Sequence, residues 1–316
     1  MSQKDFLFRA KLINEWESDE DKVPTVIYPE ELPVTFGPFT LNLCPNKQAY
    51  LDEIFDPSID HKVDYDFPLS LLYIDMRLTC VDEDNELLLA EEAFQEIEGL
   101  LRLFKSGGIY VRRYYQVWEI KGDKAYNIFF INFAPERPDL NMHYLGGYGI
   151  DDDILKDFII FFKNYWTVVH TKKQPIYSAL LRFSSSYEGL TLEERMVDLV
   201  IALEALFNDG GDSLAFKVAL RCSCLVYPPG QSRKKCYDDL IRFYRDRSII
   251  LHGHQIKKPY TSDTINGLEE IVRKAILLFL RLDSQGFNIN RMEEIDNHLF
   301  FDPKPESTEG QNGQNQ

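Results

Sequence analysis

No apolar run in the chain reaches the ~20 residues needed to span a bilayer, and no basic leader with an apolar core precedes the first strand-like segment. Neither membrane insertion nor export is expected, and the chain reads as cytoplasmic. Cysteine is scarce. Five residues, Cys44, Cys80, Cys222, Cys224 and Cys236, point to reduced thiols rather than a disulfide framework. The Cys222-x-Cys224 spacing is not that of a usual zinc site and no fourth ligand stands nearby, so no metal is expected and these thiols read as small buried residues. G-x-x-x-x-G-K-[ST], G-x-S-x-G and H-E-x-x-H are all missing, which removes the phosphate-cradling loop, the serine-hydrolase elbow and the zincin helix. No cofactor is called for.

Positive charge is also in short supply. The 316 residues carry 35 Lys+Arg against 51 Asp+Glu, a formal net charge of −16, which argues against a protein that coats nucleic acid non-specifically. The deficit is local. Residues 1–150 hold 14 basic and 27 acidic side chains, whereas residues 151–300 hold 20 and 21. Within the second half, residues 213–258 carry ten basic side chains against three acidic ones, a basic island of +7.

The pattern of elements changes at the same place as the charge. Residues 1–150 predict an α+β domain: strand-like segments "DFLFRAKLI", "LPVTFGPFTLNL" and "LSLLYIDMRLTCV", a helix over "LLLAEEAFQEIEGLLRLFKSGG" stopped by two glycines, and a hairpin turning at Lys121-Gly122-Asp123. From Asp151 to about residue 300 the strand signals vanish and an all-α helical bundle is expected. Its first helix opens on three acidic residues, Asp151, Asp152 and Asp153, which suit a helix N-terminus. The second begins at a capping box, Thr191 with Glu194, and keeps Leu192, Met196, Leu199, Val200, Leu203 and Leu206 on one face. A third, "SLAFKVALRCSCLVY", stops at Pro228-Pro229-Gly230; a fourth runs from near Ser232 to His252-Gly253; "LEEIVRKAILLFLRLDSQG" makes a fifth. Residues 301–316 are polar and are expected to be disordered.

Three of these helices carry a resemblance. "VIALEALF", then "LAFKVALRCSCLV", then "YRDRSIILHG" at the end of the next helix resembles the HEPN superfamily, specifically its Apea-like branch, over roughly residues 155–285. The resemblance implies an all-α bundle, commonly dimeric, and a metal-independent ribonuclease marked by Arg, four to six residues, then His. It also implies a setting in toxin–antitoxin or phage-defence systems, with an antitoxin or defence protein as a possible partner. The spacing alone is uninformative, since it recurs at Arg137/His143 and Arg291/His298; the end of a bundle helix followed by Gly253 is what singles out residues 245–252.

The chemistry suits those residue types. Cleaving RNA without metal requires removal of the 2′-OH proton, protonation of the leaving 5′-oxygen and positive charge on the developing phosphorane. Histidine titrates near neutrality and exchanges protons; a guanidinium stays charged and matches phosphate oxygens. A symmetric dimer would bring two such pairs into one cleft, and the resemblance implies products with a 2′,3′-cyclic phosphate and a 5′-hydroxyl.

Two pairings are open. With ~100° per residue, Arg247 falls in the apolar stripe formed with Cys236, Leu240, Phe243, Ile250 and Leu251, while Arg245 and His252 share the opposite face. Arg247 pairs with His252 across four residues, with Ser248 as the polar residue after the arginine, if the helix ends or bends near Leu251. Arg245 pairs with His252 across six, two turns along one face, with Asp246 as the polar residue after the arginine. An arginine in an apolar stripe needs a partner, and Glu204 of "ALEAL" is the structural candidate. His254, Lys257 and Lys258 lie beyond Gly253 as candidate RNA contacts; Arg233, Lys234 and Lys235 read as a solvated helix start.

The expected function is therefore a metal-independent endoribonuclease of toxin or anti-phage type, acting at a homodimer interface with no cofactor. A non-catalytic dimerisation or RNA-binding module, with Arg247 and His252 structural, is the alternative. A third reading places the principal activity in residues 1–150, which present no recognisable catalytic set.

Overall fold

The computed structural model describes residues 4–13, 33–44, 71–80, 86–111, 114–121, 124–132, 148–208, 210, 212–286, 292–293 and 296–297. The tail expected to be disordered and the decoy histidines lie outside these residues. Seven strands form one antiparallel sheet: β1 (Lys4–Ile13), β2 (Val34–Phe36), β3 (Phe39–Cys44), β4 (Leu71–Cys80), β5 (Tyr110–Val111), β6 (Tyr114–Lys121) and β7 (Lys124–Asn132). Their order is β2-β3-β4-β1-β6-β7, with β5 also paired to β1. The expected hairpin is present, Lys121 opposite Lys124, with a bulge between Val117 and Trp118. A tighter hairpin joins β2 and β3 through Gly37, whose φ of +56° suits glycine and whose Cβ, if it had one, would stand 2.8 Å from the Phe162 ring.

Seven longer helices complete the described residues: α1 (Glu86–Phe104), α2 (Asp152–His170), α3 (Ile176–Ser185), α4 (Leu192–Phe207), α5 (Leu214–Val226), α6 (Gln231–Leu251) and α7 (Ser262–Ser284). Asp151 caps α2 through the Ile154 amide, and Thr191 and Glu194 form the expected capping box on α4. Two features depart from the sequence expectation. The helix α3 was not anticipated, although Ile176, Ala179, Leu180 and Phe183 recur at helical spacing and all four are buried. It follows Pro175, a residue preorganised for a first turn. The last helix starts at Ser262 rather than Leu268, capped by Thr261 on the Thr264 amide, and it carries Gly267 through its interior.

One hydrophobic core runs through both halves, from Phe36 on β2 to Leu282 on α7. Helix α1 packs on the sheet on one side and on α2 and α3 on the other. Phe36 and Phe39 meet Phe162 edge-on at 5.1 and 6.0 Å between centroids, and Phe162 stacks on Trp166 at 5.0 Å. Such pairs add about 0.5–1.5 kcal/mol each beyond the area they bury. The helical half is a bundle in which α4 touches α3, α5, α6 and α7, and that central position lets Glu204 of α4 reach α6. No helix among the described residues is long and apolar enough to cross a membrane.

Candidate functional site at the end of helix α6

Helix α6 anchors itself through Cys236, Leu240, Phe243 and Tyr244, all buried. It ends in the glycine motif that its sequence announces: His252 is the C-cap, Gly253 takes φ +77°, and the Gly253 and His254 amides donate to Ile250 and Ile249 at 2.9 and 3.0 Å. Those bonds satisfy two otherwise orphaned carbonyls and turn the chain out into solvent. His252, His254, Lys257 and Lys258 are consequently exposed, as is Ser248 one turn earlier. Leu251, expected within the apolar stripe, is instead 58% exposed, because the last turn overhangs the core.

Arg247 meets the partner that the stripe demanded. Its Nη1 donates to Glu204 Oε1 at 2.9 Å, with 22% of the arginine side chain and 15% of the glutamate still accessible. Burial raises the Glu204 carboxyl above its ordinary range, and the Arg247 charge opposes that rise. Arg247 Nε and the Tyr244 hydroxyl are buried with no hydrogen-bond partner among the described residues. Burial, reinforced by Glu204, pushes the Tyr244 phenol far above its ordinary value, so it stays a neutral donor.

Arg245 and His252 lie seven residues apart on a continuous helix, and therefore on one face about 10 Å apart along the axis. Arg247 and His252 are five apart, about 140° around it, because α6 stays helical through Leu251. The bend that would have brought Arg247 and His252 together within one chain is not there. Arg245 is 68% exposed and bridges to Asp246 at 3.0 Å. The neighbouring Asp246 is buried, held also by the Tyr260 hydroxyl at 2.8 Å. Sequence reasoning missed Tyr244, and it missed the bond between Asp246, weighed only as the polar residue after Arg245, and Tyr260. For the last two the available signal was an aspartate between two arginines and a tyrosine fourteen residues on, which periodicity does not connect.

A second set of charges lies deeper. Arg102 of α1 donates to Ile109 O, Ser184 O and Ser184 Oγ, pairs with Glu98, and sits over the Tyr110 and Tyr187 rings, each 4.8 Å away. Glu269 of α7 accepts from Arg195 at 2.8 Å, Arg273 at 2.5 Å and the Tyr187 hydroxyl at 2.8 Å. The three arginines and Glu269 are buried. Among the described residues there is no grouping of three or more metal-ligating side chains.

No family model, no curated protein and no solved structure matches the chain.

Proposed function

We propose that the helical half is a HEPN-like module of the Apea-like kind, and that the exposed end of α6 is a metal-independent ribonuclease site completed by a second copy of the chain. The observation that carries this reading is the contrast within one helix end: His252 stands exposed, with no side-chain partner among the described residues, while Arg247 is held by Glu204 with an edge still accessible. In the proposed site His252 moves the protons, and Arg247 presents the cation to the phosphorane, its orientation fixed by Glu204. Ser248, His254, Lys257 and Lys258 line the approach of the RNA, and Arg245 supplies further positive charge beside them.

Two facts favour assembly through this end. Within one chain Arg247 and His252 point about 140° apart, so convergence requires residues from two copies. The exposed Leu251 adjoins His252 and offers the apolar contact that a two-fold interface would bury. A cytoplasmic toxin or defence setting, with an antitoxin or defence protein as partner, belongs to the same proposal.

The Arg247–Glu204 pair also favours a second reading, a non-catalytic module in which that bridge fixes the bundle and His252 only ends a helix. The two separate on one experiment: RNA is incubated with the full chain in EDTA and the product ends are analysed. Fragments carrying 2′,3′-cyclic phosphates, lost with Arg247→Ala, support the ribonuclease; RNA left intact by wild type supports the scaffold.

A further inference from the structure

Helix α6 is joined to α7 by a connection that carries His254, Lys257 and Lys258. The chain leaves α6 through the Gly253 turn and enters α7 behind the Thr261 cap. Residues 255–259 make no hydrogen bond or ion pair among the described residues, and all but Ile256 are exposed. The course of this stretch is therefore set chiefly from its two ends.

One end is the Gly253 turn. The other is Tyr260, which returns to α6: its hydroxyl donates to Asp246 Oδ2 at 2.8 Å, and its ring lies 5.5 Å from that of Phe243. Asp246 stands six residues before His252, so the connection comes back about 9 Å along the helix axis. Helix α6 packs on α4 and α5, and α7 packs on α3, α4 and α5. Beyond the Gly253 turn, the hydrogen bond and the ring contact of Tyr260 are what tie the connection to α6 among the described residues.

Asp246 is placed to hold this tie. At ~100° per residue its side chain leaves the helix between those of Arg245 and Arg247. It is buried, and both of its oxygens are committed: Oδ1 takes Nε and Nη2 of Arg245, each at 3.0 Å, and Oδ2 takes the tyrosine. A carboxylate engaged in this way is not within reach of a substrate proton, so its part is geometric. Burial, and then the bond to Asp246, keeps the Tyr260 phenol well above its ordinary value, so it remains a donor at neutral pH.

We propose that Tyr260 and Asp246 are positioning residues of the ribonuclease site: their bond seats the connection against α6, so that Lys257 and Lys258 meet the phosphates beside the scissile one, and Asp246 holds Arg245 on the same side. The inference rests on the ribonuclease reading and adds to it two residues that touch no substrate. A connection released at Tyr260 keeps both lysines but spreads them over more positions. The binding they supply then falls by the cost of ordering them.

The test is steady-state cleavage of a single-stranded oligoribonucleotide in EDTA by the full chain, with urea unfolding of each protein in parallel. Tyr260→Phe keeps the ring against Phe243 and removes only the hydroxyl. Its KM is expected to rise about tenfold, with kcat within about threefold of wild type because His252 and Arg247 are untouched. The double variant Lys257→Gln with Lys258→Gln should raise KM about tenfold or more. Adding Tyr260→Phe to that pair should raise it by less than about twofold further, since the lysines through which the clasp acts are already gone. A bond that served the bundle alone would lower the unfolding midpoint and leave KM where it was. Wild-type cleavage with KM unmoved in Tyr260→Phe overturns this inference alone, as does a full tenfold effect of Tyr260→Phe in the lysine-free background. Absence of cleavage by wild type overturns the ribonuclease reading itself, and the positioning role with it.

Discussion

The chain uses arginine in two ways, and the difference separates what holds the molecule together from what faces a ligand. Arg102, Arg195 and Arg273 sit in the interior where α1, α3, α4 and α7 meet, surrounded by Glu98, Glu269 and tyrosine rings. Arg245 and Arg247 stand at the end of α6, one exposed and one half-buried. Removing one partner of an ion pair of the first kind leaves the other charge under-compensated in low dielectric, so its cost falls on folding. Those of the second kind are partly solvated, so they weigh little on stability and remain available to an anion. Arginine count says nothing about this; depth and commitment decide it.

The comparison breaks first at Arg273. Replacing it with leucine leaves the buried Glu269 one cation, Arg195, in place of two and removes the donor to the Tyr187 oxygen, and is expected to cost about 3 kcal/mol in urea unfolding. A cost below about 1 kcal/mol would place these arginines with the surface ones.

Arg247→Gln should cost less, about 1–2 kcal/mol at pH 7, and the loss should depend on pH. Without the guanidinium, nothing offsets the burial that raises the Glu204 carboxyl above its ordinary 4.5. A carboxyl whose value is higher in the folded state favours folding when protonated, and that contribution is lost as pH rises through the folded value. The Arg247→Gln defect is therefore expected to shrink as pH falls toward 4.5 and to grow above it, read from denaturation midpoints across that window.

Glu204→Gln tests the same linkage from the other side. Since ionised Glu204 is disfavoured in the folded chain, the amide should be neutral or slightly stabilising at pH 7, within about 1 kcal/mol. Its advantage over wild type should disappear in acid. The smallest effect is expected at Arg245: alanine should change stability by under about 0.5 kcal/mol and slow RNA cleavage less than tenfold, against about a hundredfold or more for Arg247→Ala. The reverse order would assign the phosphate-facing role to Arg245.

Much of the bundle was legible in the sequence. The capping box at Thr191, the stop at Pro228-Pro229-Gly230 and the glycine turn at Gly253 are local chemistry, and local chemistry survives folding. The salt bridge from Arg247 to Glu204 was legible too, because an arginine in an apolar stripe needs a counter-charge. Helix α3 was passed over although its four buried residues keep helical spacing, because the helix spans only ten residues. The early start of α7 was hidden by Gly267, which costs a helix about 1 kcal/mol relative to alanine and was outweighed by the packing of Ile265 and Leu268. The Tyr260–Asp246 bond and the interior joining of Arg102 to Ser184 could not be read. Each depends on how elements distant in sequence meet, and one residue of each pair carries no periodic signal.

His252 carries the central claim, because it is exposed, ends a helix and makes no side-chain hydrogen bond or ion pair among the described residues. The direct measurement is the rate of RNA cleavage in EDTA by His252→Ala and wild type, with the unfolding free energy of both proteins determined in parallel. Cleavage by the variant is expected to fall by about a hundredfold or more, while its stability stays within about 0.5 kcal/mol of wild type. Cleavage at the wild-type rate by an equally stable His252→Ala protein would contradict the assignment of proton transfer to this residue.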